Sequence, residues 1–159
     1  MDFKAILVAT DFSECAGAAF KVAKSLARQF GAKIVILHVI QQRIVARVAE
    51  HLKVKPDSLL PAFREEAQQH LDEFLKECCR DYLEVTSMVT VGLPFQEIAV
   101  VARDLAADLI VMGGYGRSGR GPIEEVFFGS TAEKVVRLLP CPVLCVPWES
   151  QAATAENPP

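Results

Sequence analysis

The sequence of 159 residues has no long hydrophobic run, no strong excess of either charge and no leader-like start. No apolar stretch approaches the ~20 residues that a membrane-spanning helix needs, so we expect no membrane partner. The net charge of −3 argues against nucleic acid as a partner, because proteins that bind nucleic acid present a strongly basic surface. The N-terminus lacks the basic region, apolar core and cleavage site of a signal peptide, and we therefore expect a cytoplasmic protein.

The cysteines and histidines also lack the spacing of metal or disulfide sites. There are five cysteines, an odd number; Cys78 and Cys79 are adjacent, and three residues separate Cys141 from Cys145. None of these spacings is that of a zinc site or a C-x-x-C redox pair, so we expect buried or neutral thiols. A redox role for Cys141 and Cys145 is a distant alternative. His38 lies inside an apolar run and is interpreted as a core histidine.

Short apolar runs alternate with amphipathic stretches along most of the chain. Runs near residues 5–9, 34–40, 83–91, 109–112 and 142–147 predict five strands, and the stretches between them predict helices. Ser13 and Gly31 fit the two ends of the first helix. This alternation predicts an α/β fold with a parallel sheet covered on both faces. We expect one domain over residues 1–148 and a disordered tail over residues 149–159.

The segment from residue 43 to residue 61 has a less regular pattern. It predicts a short helix with a basic outer face, which Pro56 and Pro61 interrupt. A longer helix then begins near Phe63. Further along, Pro94 is expected at the first position of the next helix.

The glycine-rich segment 113–130 lies between the fourth strand and the last helix. It has five glycines in its first nine residues, which let the backbone approach a ligand closely. A loop that leads into a helix start binds phosphate through converging N–H groups and the helix dipole. Arg117 either adds a charge-assisted bond to a phosphate or is a solvated loop residue. The segment is not a Walker A loop, and the acidic residue of a dinucleotide-binding motif is missing.

Three further positions have both a structural and a ligand-binding interpretation. Asp11 follows the first strand, where it either contacts a sugar hydroxyl or a magnesium ion or helps to cap the next helix. Gly92 serves a tight turn or lines a pocket. Ser130 and Glu133 have the spacing of a capping box, which is compatible with phosphate binding at the same helix start.

Taken in order, several segments resemble the universal stress protein family over about residues 3–148. The segments that carry the resemblance are ILVATDFS (6–13), ILHV (36–39), VGLP (91–94), DLIVMG (108–113) with YGRSG (115–119), GSTAEKV (129–135) and PCPVLCV (140–146). The resemblance implies a five-stranded parallel sheet in the order 3-2-1-4-5, with a ligand pocket between the ends of strands one and four.

The resemblance also implies that the ligand is ATP, bound together with Mg²⁺ or Mn²⁺, and that the protein senses or regulates rather than catalyses. Backbone at Ala9 and Val39 would border the adenine, and Asp11 would reach the ribose. The residues expected to contact the nucleotide are Ala9, Thr10, Asp11, Val39, Gly92, Met112, Gly113, Gly116, Arg117, Ser118, Gly119, Gly129, Ser130 and Thr131.

The glycine loop departs from the spacing of the family's ATP-binding members, G-x2-G-x9-G-S/T. Starting at Gly113, twelve residues separate Gly116 from Gly129; starting at Gly116, the spacing matches but the motif begins three residues later. Either alignment is open, and three residues can displace a loop tip by up to ~10 Å. A protein-interaction module without nucleotide, or a slow ATPase, are therefore alternative functions.

The last predicted strand is apolar and would form an unprotected sheet edge. The family usually dimerises through this strand, so the resemblance implies a homodimer in which strand five pairs with its symmetry mate. The residues that would form the interface are Val143, Leu144, Cys145 and Val146.

Overall fold

The computed structural model describes residues 2–78, 84–115, 129–138 and 140–147. Within these ranges five parallel strands form a sheet in the order β3-β2-β1-β4-β5, so the predicted fold class and strand order are confirmed. The strands are β1 (Ala5–Ala9), β2 (Lys33–Gln41), β3 (Val85–Gly92), β4 (Leu109–Gly113) and β5 (Val143–Val146). The helices are α1 (Glu14–Phe30), α2 (Gln42–Leu52), α3 (Pro56–Cys78), α4 (Pro94–Asp104) and α5 (Ser130–Leu138).

The central strands are buried because helices cover both faces of the sheet. On one face, α1 and α3 pack Phe20 and Leu71 against Ile6 and Val8. On the other face, helices α4 and α5 pack against alternate residues of the same strands, including Leu7. Each fully buried large apolar side chain contributes roughly 1.5–3 kcal/mol relative to leaving it in water. This two-sided burial explains the continuous apolar runs in the sequence.

The first helix begins and ends where the sequence predicts. The Ser13 hydroxyl accepts the backbone N–H of Ala16 at 3.2 Å, which supplies an acceptor at the helix start. Gly31 ends the helix in the left-handed region with φ of 67°, a conformation that glycine adopts without steric cost. These two caps fix where the chain leaves β1 and where it enters β2.

The prediction for the segment after β2 was wrong in one respect. The long helix α3 begins at Pro56 and includes Pro61, whereas the sequence pattern predicted a helix from about Phe63. Proline is compatible with a first helical position, where its missing N–H would have no partner. Pro61 removes one further hydrogen bond, and the packing of Ala67 and Leu71 later in the helix offsets that loss.

The chain reverses direction across the sheet between β1 and β4. In an open parallel sheet, the carboxyl ends of the two strands at such a reversal form a crevice in which ligands bind. Several predicted features lie outside the described residues: the loop from 116 to 128, which includes Gly116, Arg117, Ser118 and Gly119, and the tail from 149 to 159. Within the described ranges, none of the helices has the length and apolarity needed to cross a membrane.

Candidate functional site

Asp11 lies in the exposed loop that leaves the carboxyl end of β1. One of its carboxylate oxygens accepts the backbone N–H of Ser13 at 3.0 Å, and Ser13 in turn caps α1. Asp11 therefore supports the cap, one of the two roles that the sequence suggested. Because the side chain is exposed and an oxygen accepts only one N–H here, the carboxylate can also meet a ligand.

The residues on either side of Asp11, Thr10 and Phe12, contact residues of β2. The Thr10 N–H donates to the Leu37 carbonyl at 2.9 Å, and the Thr10 carbonyl lies 2.8 Å from His38 Nδ1. The buried Thr10 hydroxyl accepts the N–H of Phe12 at 3.1 Å. Phe12 has φ of 63°, a conformation that costs a non-glycine residue on the order of 1 kcal/mol or more. These contacts fix the position of Thr10 and Phe12 on the two sides of Asp11.

His38 and Phe12 were not predicted as part of the site. Their rings stack with centroids 4.5 Å apart, and Phe12 also meets the His70 ring at 5.3 Å and the Phe74 ring at 6.4 Å. His38 is half-buried and bonded, in agreement with its interpretation as a core histidine. Its additional role in holding the Thr10 carbonyl depends on the pairing of β1 with β2, which no local pattern in the sequence encodes.

Three of the predicted ligand residues form an apolar wall at the carboxyl end of the sheet. Ala9, Val39 and Met112 are the terminal or near-terminal residues of β1, β2 and β4, and all three belong to the cluster on the α4 and α5 face. Thr90 pairs with Val39 in the sheet and so shares that face. The Thr90 hydroxyl is buried and has no hydrogen-bond partner in the described part of the chain.

Paired glycines connect the end of β4 to the start of α5. The Gly114 N–H donates to the Val146 carbonyl at 3.0 Å, and the Gly114 carbonyl accepts the Gly129 N–H at 2.7 Å. Gly113 is glycine for a packing reason, because a Cβ there would lie 2.7 Å from Cys15 Sγ. Gly113, Gly114 and Gly129 thus close the base of the predicted phosphate loop.

The start of α5 differs from its predicted cap. The helix begins at Ser130, whose preceding residue Gly129 accepts the Glu133 N–H at 3.0 Å. The Glu133 carboxylate pairs with Arg137 at 2.8 Å instead of reaching back to the helix start, so the predicted capping box is wrong. The Ser130 hydroxyl makes no hydrogen bond to another described residue, and Ser130 lines the cleft described next.

A cleft of about 120 Å³ lies beyond the carboxyl ends of β2 and β3. Three of the predicted ligand residues, Gly92, Ser130 and Thr131, line it. A Cβ at Gly92 would meet the Glu97 side chain at 2.8 Å, so this glycine also serves the turn before α4. The described residues that line it are Gln41, Arg43, Gly92, Leu93, Pro94, Phe95, Ser130, Thr131 and Lys134.

The titratable groups near β5 show no sign of activated thiol chemistry. Burial is the main cause that raises the pKa of the Cys141 thiol and the pKa of the Cys145 thiol above the ordinary value. A raised pKa keeps both groups as neutral thiols near pH 7, which are poor nucleophiles. In the ranges that the structure describes, no group of three or more His, Cys, Asp or Glu residues could hold a metal ion.

The comparisons with known proteins agree with one another. A model of the universal stress protein family matches residues 2–147. Universal stress protein MJ0577 of Methanocaldococcus jannaschii is 30% identical over 156 residues, which cover 91% of this chain and 94% of that protein. A universal stress protein of Thermus aquaticus is 33% identical over 150 residues, covering 91% of this chain and 98% of that protein.

Solved structures have the same fold. The structure of MJ0577 matches with a TM-score of 0.80 at 31% identity, covering 95% of this chain and 100% of that one. A universal stress protein of Archaeoglobus fulgidus in complex with dAMP matches with a TM-score of 0.62 at 23% identity, covering 92% of this chain and 99% of that one. At that lower identity the likeness shows the fold alone.

Proposed function

The chain belongs to the universal stress protein family, and from this premise we propose that it binds an adenine nucleotide, ATP in particular, at the carboxyl ends of β1 and β4. One observation carries the proposal: an apolar wall, an exposed carboxylate and a helix start with unused donors lie at the same end of the sheet. Each of the three suits a different part of a nucleotide. We further propose that the bound state regulates a stress response.

The apolar wall suits the base. Ala9, Val39 and Met112 would contact the face of the adenine ring, and the backbone at the ends of β1 and β2 would meet its edge. The unpartnered Thr90 hydroxyl beside Val39 supports this placement, because a buried polar group without a partner is costly. The ring nitrogens and the amino group of adenine would bring hydrogen-bonding atoms close to the Thr90 hydroxyl.

The start of α5 suits phosphate. The first-turn N–H groups of an α-helix have no partners within the helix, and they carry partial positive charge. The hydroxyls of Ser130 and Thr131 add two more donors in the same place. Because Gly129 is bonded to Gly114, this helix start is held next to the end of β4.

Asp11 suits the ribose or a metal ion that accompanies the nucleotide. A carboxylate accepts hydrogen bonds from sugar hydroxyls, and oxygen ligands are those that Mg²⁺ prefers. Asp11 would be a single protein ligand, with phosphate oxygens and water supplying the others, so Mg²⁺ or Mn²⁺ would arrive with the nucleotide.

We also propose a homodimer through β5. This strand lies at the edge of the sheet, and Leu144 exposes 36% of its surface. An apolar edge strand with free N–H and carbonyl groups tends to pair with another strand. A two-fold axis beside β5 would cover it in both protomers. Sedimentation velocity measures the dimer, and a charged substitution, Leu144→Glu, should convert it to monomer.

Calorimetry tests the nucleotide proposal directly. We expect ATP with Mg²⁺ to bind, and GTP to bind more weakly because its base presents a different edge to β2. Mass spectrometry of nucleotide released from freshly purified protein should identify an adenine compound. An absence of heat at millimolar ATP, together with no co-purified nucleotide, would reject the proposal.

One observation favours a second candidate, a protein-interaction module without nucleotide. The space in front of Gly113 is already taken by Cys15, so this glycine needs no ligand to account for it. Under this alternative, the Ser130 end of the crevice would remain unchanged by any nucleotide. Hydrogen exchange at the start of α5, measured with and without ATP, separates the two functions.

A further inference from the structure

We propose that the cleft between the starts of α4 and α5 is an anion subsite in which Arg43 and Lys134 bind phosphate groups. The identity of the ligand as an adenine nucleotide rests on the function proposed above, whereas the subsite itself rests on this cleft. Neither cation is part of the glycine loop or of the residue set that the sequence suggested. Both line the cleft together with Ser130 and Thr131.

The fold brings the two cations to the same opening. Gln41 and Gly92 are paired at the carboxyl ends of β2 and β3, and Arg43 follows two residues after Gln41. Lys134 lies four residues after Ser130 on α5, a spacing that places both side chains on the same side of that helix. The cleft is therefore bordered by one cation from α2 and one from α5.

Two of the side chains that line the cleft, Arg43 and Lys134, are cationic. Among the described residues, neither forms an ion pair, whereas Arg137 of α5 is paired with Glu133 and Arg103 of α4 contacts Asp104. No acidic side chain in the described part of the chain belongs to the cleft lining, although the Glu97 side chain lies next to the lining residue Gly92. The described lining therefore carries two positive charges and no negative one, in a protein whose net charge is −3.

Lys134 is also oriented before any ligand arrives. Its ammonium nitrogen lies 4.9 Å from the centre of the Phe95 ring, and Phe95 is itself part of the cleft lining. A cation held over an aromatic face loses less side-chain freedom when it binds an anion. The aromatic contact thus holds the charge at the cleft without cancelling it.

The groups that line the cleft select the ligand's chemistry. The two cations and the hydroxyls of Ser130 and Thr131 can all donate hydrogen bonds, and the Gln41 amide can add another. A set of donors with net positive charge recognises phosphate oxygens. Because Ser130 belongs both to this cleft and to the proposed phosphate site, a chain of several phosphates could contact both.

Calorimetry with charge-neutral variants tests the subsite. The ligands are ATP, AMP, adenosine and inorganic tripolyphosphate, each measured at low and at high salt. We expect Arg43→Gln and Lys134→Gln each to weaken ATP binding about tenfold, since each removes one charge-assisted contact. Adenosine affinity should not change. The dependence of ATP affinity on salt should become shallower in the double variant.

Matched controls separate the subsite from general charge. Arg47→Gln removes an exposed cation one turn further along α2, and Arg137→Gln removes one from α5; neither residue lines the cleft. Both should bind ATP as the unmodified protein does. Arg43→Lys and Lys134→Arg keep the charge and should retain most of the affinity.

The outcomes distinguish this proposal from the proposed function. Equal ATP affinity and equal salt dependence in the unmodified protein and the double variant would overturn the subsite and leave nucleotide binding intact. Tripolyphosphate binding that needs Arg43 and Lys134, with no binding of adenosine and no higher affinity for ATP than for tripolyphosphate, would support the subsite and reject the proposed function. If the unmodified protein binds none of the four ligands, both proposals fail.

Discussion

The two ends of the central strand pair β1 and β4 each have an aspartate, and the two aspartates are in opposite situations. At the amino end, Asp108 accepts the backbone N–H of Lys4 at 2.8 Å and that of Ala5 at 3.0 Å. At the carboxyl end, Asp11 accepts a single N–H, from Ser13, and stays exposed. The first end is closed by its own hydrogen bonds, and the second is left open.

The difference shows that polar groups at the amino end bond to the protein itself, whereas several at the carboxyl end do not. Asp108 links β1 to β4, so its carboxylate stabilises the sheet. At the carboxyl end, the Ser130 and Thr90 hydroxyls have no hydrogen-bond partner among the described residues. Thr10 and Phe12 at the same end are joined by a hydrogen bond. A parallel sheet binds ligands at this end because its strands and helix starts converge there. The predictions below test whether the open end is reserved for a ligand.

The largest expected effect is on the packing beneath the open end. Gly113→Val should lower the free energy of unfolding by about 2–3 kcal/mol, because its Cβ would lie 2.7 Å from Cys15 Sγ and 3.1 Å from the Cys15 carbonyl carbon. Gly114→Ala is the matched control, since the nearest atom to its Cβ would be 3.7 Å away. Chemical denaturation measures both variants. Equal stability of the two would show that Gly113 is not required by packing.

The next effect concerns the loop that presents Asp11. Thr10→Val should cost about 1–2 kcal/mol of stability, because the Phe12 N–H loses the hydroxyl that it donates to at 3.1 Å. Thr10→Ser keeps a hydroxyl and should lose much less. If valine is tolerated as well as serine, the loop is not held by this bond and the open end is less ordered than we describe.

Much of this architecture could be predicted from the sequence, and the parts that could not share a cause. Strand order, the Ser13 cap and the position of Asp11 follow from apolar periodicity and family resemblance. The roles of His38, Arg43 and Lys134 depend on residues far apart in the chain that meet only when the sheet is assembled. Helix α3 was placed too late because proline was interpreted as a break, although a first helical turn accepts it.

Substitutions of Asp11 test the open end through their effect on ATP affinity. Asp11→Asn keeps an oxygen that can accept the Ser13 N–H, so stability should change little. If the carboxylate contacts the ribose or a Mg²⁺ ion of the nucleotide, the affinity for ATP with Mg²⁺ should fall about tenfold. Asp11→Ala, which also loses the turn, should be less stable. Unchanged ATP affinity in both variants would restrict Asp11 to its structural role.

The smallest effect is expected at the closed end, and it depends on pH. Hydrogen bonds from the backbone N–H groups of Lys4 and Ala5 hold the pKa of Asp108 below its ordinary value of 3.8, and the bond from Lys4 has the larger effect. A carboxyl whose pKa is lower in the folded state stabilises the fold above the unfolded pKa, and that stabilisation disappears as the pH falls through the folded value. Denaturation between about pH 5 and pH 2 should therefore show a steeper loss of stability for the unmodified protein than for Asp108→Asn.

Asp104→Asn is the control for this pH profile, because it alters an exposed carboxylate that contacts only its neighbour Arg103 at 3.7 Å among the described residues. Its profile should follow that of the unmodified protein. ATP affinity near pH 7 should be unchanged in Asp108→Asn, since the residue lies at the end of the sheet away from the crevice. If this variant bound ATP more weakly without being less stable, the two ends would be coupled through β1 and β4. The contrast between a closed structural end and an open binding end would then fail.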